Sequence, residues 1–340
     1  MKFRKLPNGV KIKRPVKTAL VLSGGGAKGA YQVGVIGELL KRGIKFDLVT
    51  GSSIGAFNSA LLAEFSKDQN QIDPGQKLQE IWLNLDKFLP LNWAGWTKNI
   101  TTPHKIPSIF SNKNIKAILK EYIGAGRSFS DYMECQLSVT GTNLDRKTKK
   151  VFDFNSEVEV IKAVLASMAY PVGLPTVDIF GNKYVDGGVL DNAPLKEAIL
   201  WGARKIYVIF LTPLSVIETE DKNLMKKEDE SYPAWRVIDE LIDLASNNMM
   251  YGDMKRAQKI NQLLKLIDLY EGELPDSFLS QLYKIFGLRK GEGKRIVNIT
   301  KIAPQKVLNP PGTMGFDNKK VIGNLIAKGK RDAIIQLGNT

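Results

Sequence analysis

The chain is expected to fold as an α/β protein, with a mostly parallel central sheet, helices on both faces and a helical insertion. Three observations predict this. Short apolar runs of strand length, residues 18–23 (TALVLS) and the stretch around Phe46, Leu48 and Val49, are each followed by a glycine-containing turn and then by helical spacing. The resulting order is strand, glycine loop, helix, strand, serine turn, helix, and such a βαβα run argues for parallel strands covered on both faces. Further on, a helix over Pro194–Trp201 and a strongly apolar strand, Ile206–Leu211, restore the same alternation.

Residues 1–17 form a basic tail, rich in Lys and Arg and without an acid. It reads either as solvated chain or as a polybasic tether to anionic lipid. Residues 18–214 make the α/β core. Its first helix puts Val33, Ile36 and Leu40 on one inner face, and its second puts Ala56, Phe57, Ala60, Leu61 and Leu62 there. Residues 68–130 are less regular, although Leu78, Ile81, Trp82 and Leu85 recur at helical spacing. Trp82, Trp93 and Trp96 suit either a core or an interfacial lid, because tryptophan is at home where apolar and wet surroundings meet. Residues 135–142 and 149–154 read as two strands around a charged loop, and Ser156 with Glu159 reads as a capping box for a helix through Met168. A loop over Tyr170–Val177 and a short strand, Lys183–Val185, lead into Asp186-Gly187-Gly188. Residues 215–295 carry two amphipathic patterns and read as a helical insertion or cap: Trp235, Ile238, Ile242, Ala245 and Met249 form one, and Ile260, Leu263, Leu264 and Ile267 the other. Residues 296–340 complete the core with a strand, Ile296–Ile302, and a helix, Asn318–Leu337.

Composition narrows the function classes. With 340 residues the chain can bury a sizeable core, and 43% apolar with 25% charged residues is ordinary for a globular protein. The formal charge of +14 favours an anionic partner. The basic residues are spread out and no recognition motif appears, so nucleic acid is not expected. One cysteine, Cys135, rules out a disulfide within the chain and reads as a buried strand thiol. One histidine, His104, sits in a polar loop and reads as surface. A Ser-His-Asp triad or a histidine-rich metal site would have to use it. No run is long and apolar enough for a membrane span and no secretory signal is visible, so a cytoplasmic location, with or without peripheral membrane contact, is expected.

Three motifs carry chemistry. Gly51-Ser52-Ser53-Ile54-Gly55, between a strand and a helix, has the pattern of a nucleophile elbow with Ser53 at the bend. Gly24, Gly26 and Gly29 satisfy a dinucleotide-type glycine pattern, but Asp47, at roughly the right distance for the acid such a site wants, enters the second strand rather than ending it, and that strand runs into a serine turn a nicotinamide site does not need. The same loop suits an oxyanion hole, its backbone N–H groups at a helix N-terminus facing developing negative charge. Gly24, Gly25 and Gly26 are the candidates for that role. Lys28 reads equally as a contact for a substrate phosphate or as a solvent-facing lysine. Ile54 is a second candidate substrate contact. Asp186 is the candidate base. It ends a strand and precedes two glycines that let a serine approach, although D-G-G is also an ordinary turn.

At these residues the chain resembles the patatin-like phospholipases. GGGAKG at 24–29, GSSIG at 51–55 and DGG at 186–188 match in order, and ASMAYPVGLPTV (166–177) and GTMGFDN (312–318) are similar more weakly. The resemblance implies a patatin-like three-layer sandwich and a lipid acyl hydrolase acting on phospholipid or other acyl esters. It further implies Ser53 as nucleophile, Asp186 as its base, the 24–29 loop as oxyanion hole, and neither cofactor nor metal. The Gly-Leu-Pro after Pro171 departs from the family's usual aromatic and paired prolines, and residues 215–295 have no counterpart in the resemblance. A transacylase on the same site and a non-catalytic basic membrane-binding module are the alternatives.

Overall fold

The computed structural model describes residues 4–5, 11–12, 16–67, 73–85, 108, 111–171, 173–215, 234–270, 273–285, 296–309, 315–316 and 318–338. The expectations for Trp93, Trp96 and His104 lie outside the described residues. In the tail, β1 (Arg4–Lys5) and β2 (Lys11–Ile12) pair antiparallel as a separate ribbon.

The central sheet consists of β3 (Thr18–Leu22), β4 (Leu48–Ser52), β5 (Gln136–Asn143), β6 (Thr148–Phe152), β7 (Val177–Ile179), β8 (Asn182–Asp186), β9 (Lys205–Ile209) and β10 (Asn298–Ile302). The order is β10-β9-β3-β4-β5-β8-β7, with β6 also on β5. The first five strands in that order run parallel, and β6, β7 and β8 join antiparallel. The parallel strands read as continuous apolar runs because both of their faces are covered. Leu20, Leu22, Val49, Tyr207 and Ile209 face one core. Their neighbours Ala19, Val21, Leu48, Ile206 and Val208 face a second.

The first core is closed by α1 (Gly29–Lys41), α2 (Ile54–Phe65), α3 (Pro74–Leu83), α4 (Lys113–Ile123), α5 (Val160–Ser167) and, from the far end of the chain, α9 (Lys319–Leu337). Tyr31 on α1 donates a buried hydrogen bond to Asp332 on α9 at 3.1 Å, which ties the C-terminal helix to the core. The second core is closed by α6 (Leu195–Leu200) and by α7 (Ala234–Leu269), whose Met250, Met254 and Ala257 are buried in the same cluster as Val21 and Ile206. The third layer is therefore shared between α6 and a helix from the segment expected as an insertion or cap. Its two amphipathic patterns are one helix of 36 residues, followed by α8 (Asp276–Ile285).

Of the two readings of Trp82, the structure takes the core one, and elsewhere it adds to or corrects the expectations. The 68–130 stretch contains α4, whose Ile115, Ile118 and Leu119 are buried. Trp82 is core, 1% exposed, and its indole donates to Asn58 Oδ1 at 2.8 Å. The Ser156–Glu159 capping box does not form. Ser156 Oγ accepts from the Asp153 amide, and Glu159 accepts from the Gly126 amide, so neither side chain is available to cap the helix as a pair. Part of the 170–177 loop and the segment after it form a hairpin, β7–β8. No described helix is long and apolar enough to cross a membrane.

Candidate active site

The parallel strands β3 and β4 end side by side, and each delivers one motif at its C-terminal end. Ser53 stands between β4 and α2 with φ 54° and ψ −125°. A non-glycine residue with such a backbone is strained by about 1–3 kcal/mol and persists where its surroundings enforce it. Here the enforcement is close packing. A Cβ on Gly55 would stand 2.7 Å from the Leu22 carbonyl carbon and 2.8 Å from the Ser23 carbonyl oxygen. Glycine at this position lets the first turn of α2 lie directly on the end of β3.

The partner of Ser53 arrives by a route no local pattern reveals. β5 pairs with β6 along one edge, at Val139–Asn143. On its other edge it pairs first with β4, through Ser52 opposite Thr140, and then with β8, through Asp186 opposite Gly141. Since β4 runs parallel to β5 and β8 antiparallel, their C-terminal ends meet head to head. Ser53 and Asp186 are thereby brought together, and Ser53 Oγ donates to Asp186 Oδ2 at 2.5 Å. Asp186 is 2% exposed, and its other carboxylate oxygen accepts from the Gly188 amide at 2.7 Å. Its backbone amide donates to Ala169 O at 2.9 Å, and its carbonyl accepts from Thr142 Oγ1 at 2.9 Å. The base turn is braced further along, where Lys149 bonds both Asp191 (2.7 Å) and Glu197 (2.9 Å). Burial pulls the Lys149 ammonium down, but the two carboxylates outweigh it and hold the group charged.

The glycine loop lies beside the dyad. A Cβ on Gly24 would stand 2.9 Å from the Ser53 Cβ. The Gly24 amide is already engaged, donating to Asn192 Oδ1 at 2.9 Å and Asn192 O at 3.1 Å. The amides of Gly25 and Gly26 have no hydrogen-bond partner among the described residues. Both glycines have positive φ, 148° and 56°. From below, Gln32 Nε2 donates to Ser23 O and Asn58 Nδ2 to Gly29 O, which holds the loop at both ends.

Lys28 is 7% exposed and folds back beside Gly25, so the solvent-facing reading is wrong. Ile54 is 3% exposed, and its side chain packs on Gly29, so it supports the glycine loop from the core. Asp47 stands at the opposite end of β3 from the glycines. Its carboxylate is committed to the Lys17 and Thr18 amides, both at 2.9 Å, away from the glycine loop. The dinucleotide reading therefore fails. Among the described residues, no group of three or more His, Cys, Asp or Glu stands where it could hold a metal ion. Cys135 is buried, with its thiol pushed up to about 12, chiefly by burial. Sequence reading missed Asn192 and Ser167. The weak signal for Ser167 was its place in the 166–177 motif, whose purpose was unassigned; Asn192 stood in no motif.

Fold and site define an α/β protein whose parallel sheet presents a strained elbow serine hydrogen-bonded to a buried carboxylate. The chain belongs to the patatin-like phospholipase family, a family of lipid acyl hydrolases, whose match spans residues 20–199. Lysophospholipase NTE1 of Candida glabrata is 27% identical over 226 residues, covering 64% of this chain and 12% of that protein. Patatin-like phospholipase domain-containing protein 7 of Mus musculus is 30% identical over 197 residues, 56% of this chain and 13% of that protein. The chain thus spans about an eighth of the length of these relatives. Among solved structures, VipD from Legionella pneumophila overlays with a TM-score of 0.40 at 16% identity, covering 99% of this chain and 69% of that one.

Proposed function

We propose that this protein is a serine hydrolase of lipid acyl esters, of phospholipase A or lysophospholipase type, working through a Ser53–Asp186 dyad. The observation that carries the reading is the 2.5 Å hydrogen bond from Ser53 Oγ to Asp186 Oδ2, with no imidazole between them. As Ser53 Oγ attacks the ester carbonyl, its proton passes to Asp186. The oxyanion that forms is met by the amides of Gly25 and Gly26, while Gly24 holds the loop in place through Asn192. Asp186 then gives the proton to the departing alcohol. In the second half, Asp186 accepts a proton from water as that water attacks the acyl-enzyme, and Ser53 is restored. Lys28, beside the loop, places positive charge near a phosphate head group. The formal charge of +14 suits approach to an anionic lipid surface from the aqueous side.

The test is turnover of a short-chain nitrophenyl ester and of a lysophospholipid, with fatty-acid release followed directly. Ser53→Ala is expected to abolish both activities. Asp186→Asn, which keeps the shape but cannot take a proton, is expected to lower kcat by about 10²–10⁴. Retained turnover in folded Ser53→Ala protein would refute the mechanism.

A further inference from the structure

The motif over residues 166–177 has no part in the chemistry above, yet one short piece of it touches both members of the dyad. Ser167 is the last residue of α5 and is fully buried. Its Oγ accepts the backbone N–H of Ser53 at 3.0 Å. Two residues on, the carbonyl of Ala169 accepts the backbone N–H of Asp186 at 2.9 Å. The amides of nucleophile and base, 133 residues apart in sequence, are thus gripped by a single three-residue stretch.

We infer that Ser167 is a positioning residue of the dyad, and that the 167–169 stretch sets the separation of Ser53 and Asp186. The inference rests on the proposed hydrolase reading. The physical case begins with Ser53 at the N-cap of α2, where the first N–H groups have no helical acceptor. Its amide is part-buried and finds its acceptor in Ser167 Oγ, and its φ of 54° is one the chain does not adopt unaided. Accepting that N–H fixes the orientation of the peptide before Ser53 and so the direction of its Cβ. β4 and β8 are not paired with one another, because each pairs with β5 on a different segment of one edge. The 167–169 stretch supplies a bond to each side of that junction.

The experiment uses wild type, Ser167→Ala, Ser167→Cys and, as a control, Asn261→Ala. Asn261 bonds both N and O of Val297 at 3.0 and 2.6 Å, far along α7 from the dyad. Two rates are read per folded molecule: turnover of a nitrophenyl ester, and covalent labelling by a fluorophosphonate. In the labelling, a Ser53 Oγ–P bond forms as the P–F bond breaks, and the serine proton leaves through Asp186. Ser167→Ala should lower both kcat and labelling by about 10- to 100-fold, with KM changed less than about threefold. Ser167→Cys keeps a weaker acceptor at the same place and should fall between the two. Asn261→Ala should lose stability without losing either rate.

Wild-type rates in folded Ser167→Ala, or an equal loss in Asn261→Ala, would overturn the inference. If Ser167→Ala does not fold, wild-type rates in Ser167→Cys would overturn it instead. Wild-type protein that neither turns over ester nor labels at Ser53 would bring down the hydrolase reading, and this inference with it. Normal wild-type labelling with unaltered Ser167 variants would bring down this inference alone.

Discussion

Gly55→Ala perturbs the geometry of the dyad without touching its chemistry. The new Cβ would stand 2.7 Å from the Leu22 carbonyl carbon and closer still to the Leu22 carbonyl oxygen. Ordinary carbon contacts begin near 3.5 Å, so the first turn of α2 must back away from β3 by about 1 Å. Neither strand can follow, since β3 and β4 are each held by parallel ladders on both edges. The displacement therefore falls on Ser53, which begins that turn, and the 2.5 Å bond to Asp186 opens beyond hydrogen-bonding range. A misplacement of about 1 Å at a reacting group costs on the order of 10²-fold in rate, or roughly 2.7 kcal/mol in the barrier. Overpacking of this kind also costs about 1–3 kcal/mol of stability. The assay is kcat on a nitrophenyl ester, normalised to folded protein by fluorophosphonate labelling at long times, beside Tm. A folded Gly55→Ala protein with kcat within about threefold of wild type would refute the claim that this close approach aims the serine.

Two further outcomes follow from buried charge and a buried thiol. Lys149→Met leaves Asp191 beside Glu197 without its cation and should destabilise the fold by about 3 kcal/mol, the low end for a broken buried pair because Lys149 is 26% exposed. Burial already raises the Asp191 carboxyl above its ordinary value, and Lys149 opposes that rise. In the variant the folded-state value climbs further above the unfolded one. The penalty is then full above that folded value and shrinks as pH falls through it. Denaturant unfolding at pH 7 and pH 5 should show the gap to wild type narrowing, and an equal gap at both would contradict the assignment. For Cys135, a thiol pushed up to about 12 and buried leaves roughly one thiolate in 10⁴ at pH 8, so a disulfide reagent should label it only after unfolding. Rapid labelling of native protein would show that the thiol is accessible.

Much of the site could be read in the chain because its parts are local. A strand, a glycine-flanked serine and a helix follow one another within residues 46–62, and the glycine loop is likewise bounded by its own strand and helix. Alternation and helical spacing report only on neighbours a few positions away. They therefore missed α4, whose buried Ile115, Ile118 and Leu119 lie between Lys113, Lys116 and Lys120. They also divided α7 in two, although residues 234–269 form one helix.

Sequence alone determined that this chain would build parallel strands between helices, and that Ser53 would stand exposed to chemistry at a bend no ordinary residue favours. Only the tertiary structure decided what Ser53 would meet. β4 and β8 share one edge of β5 and end against each other there, which closes a gap of 133 residues to 2.5 Å. The reason is that strand-edge pairing is settled by which backbone donors and acceptors remain open when the sheet assembles, and nothing within a few residues of either side chain records that choice.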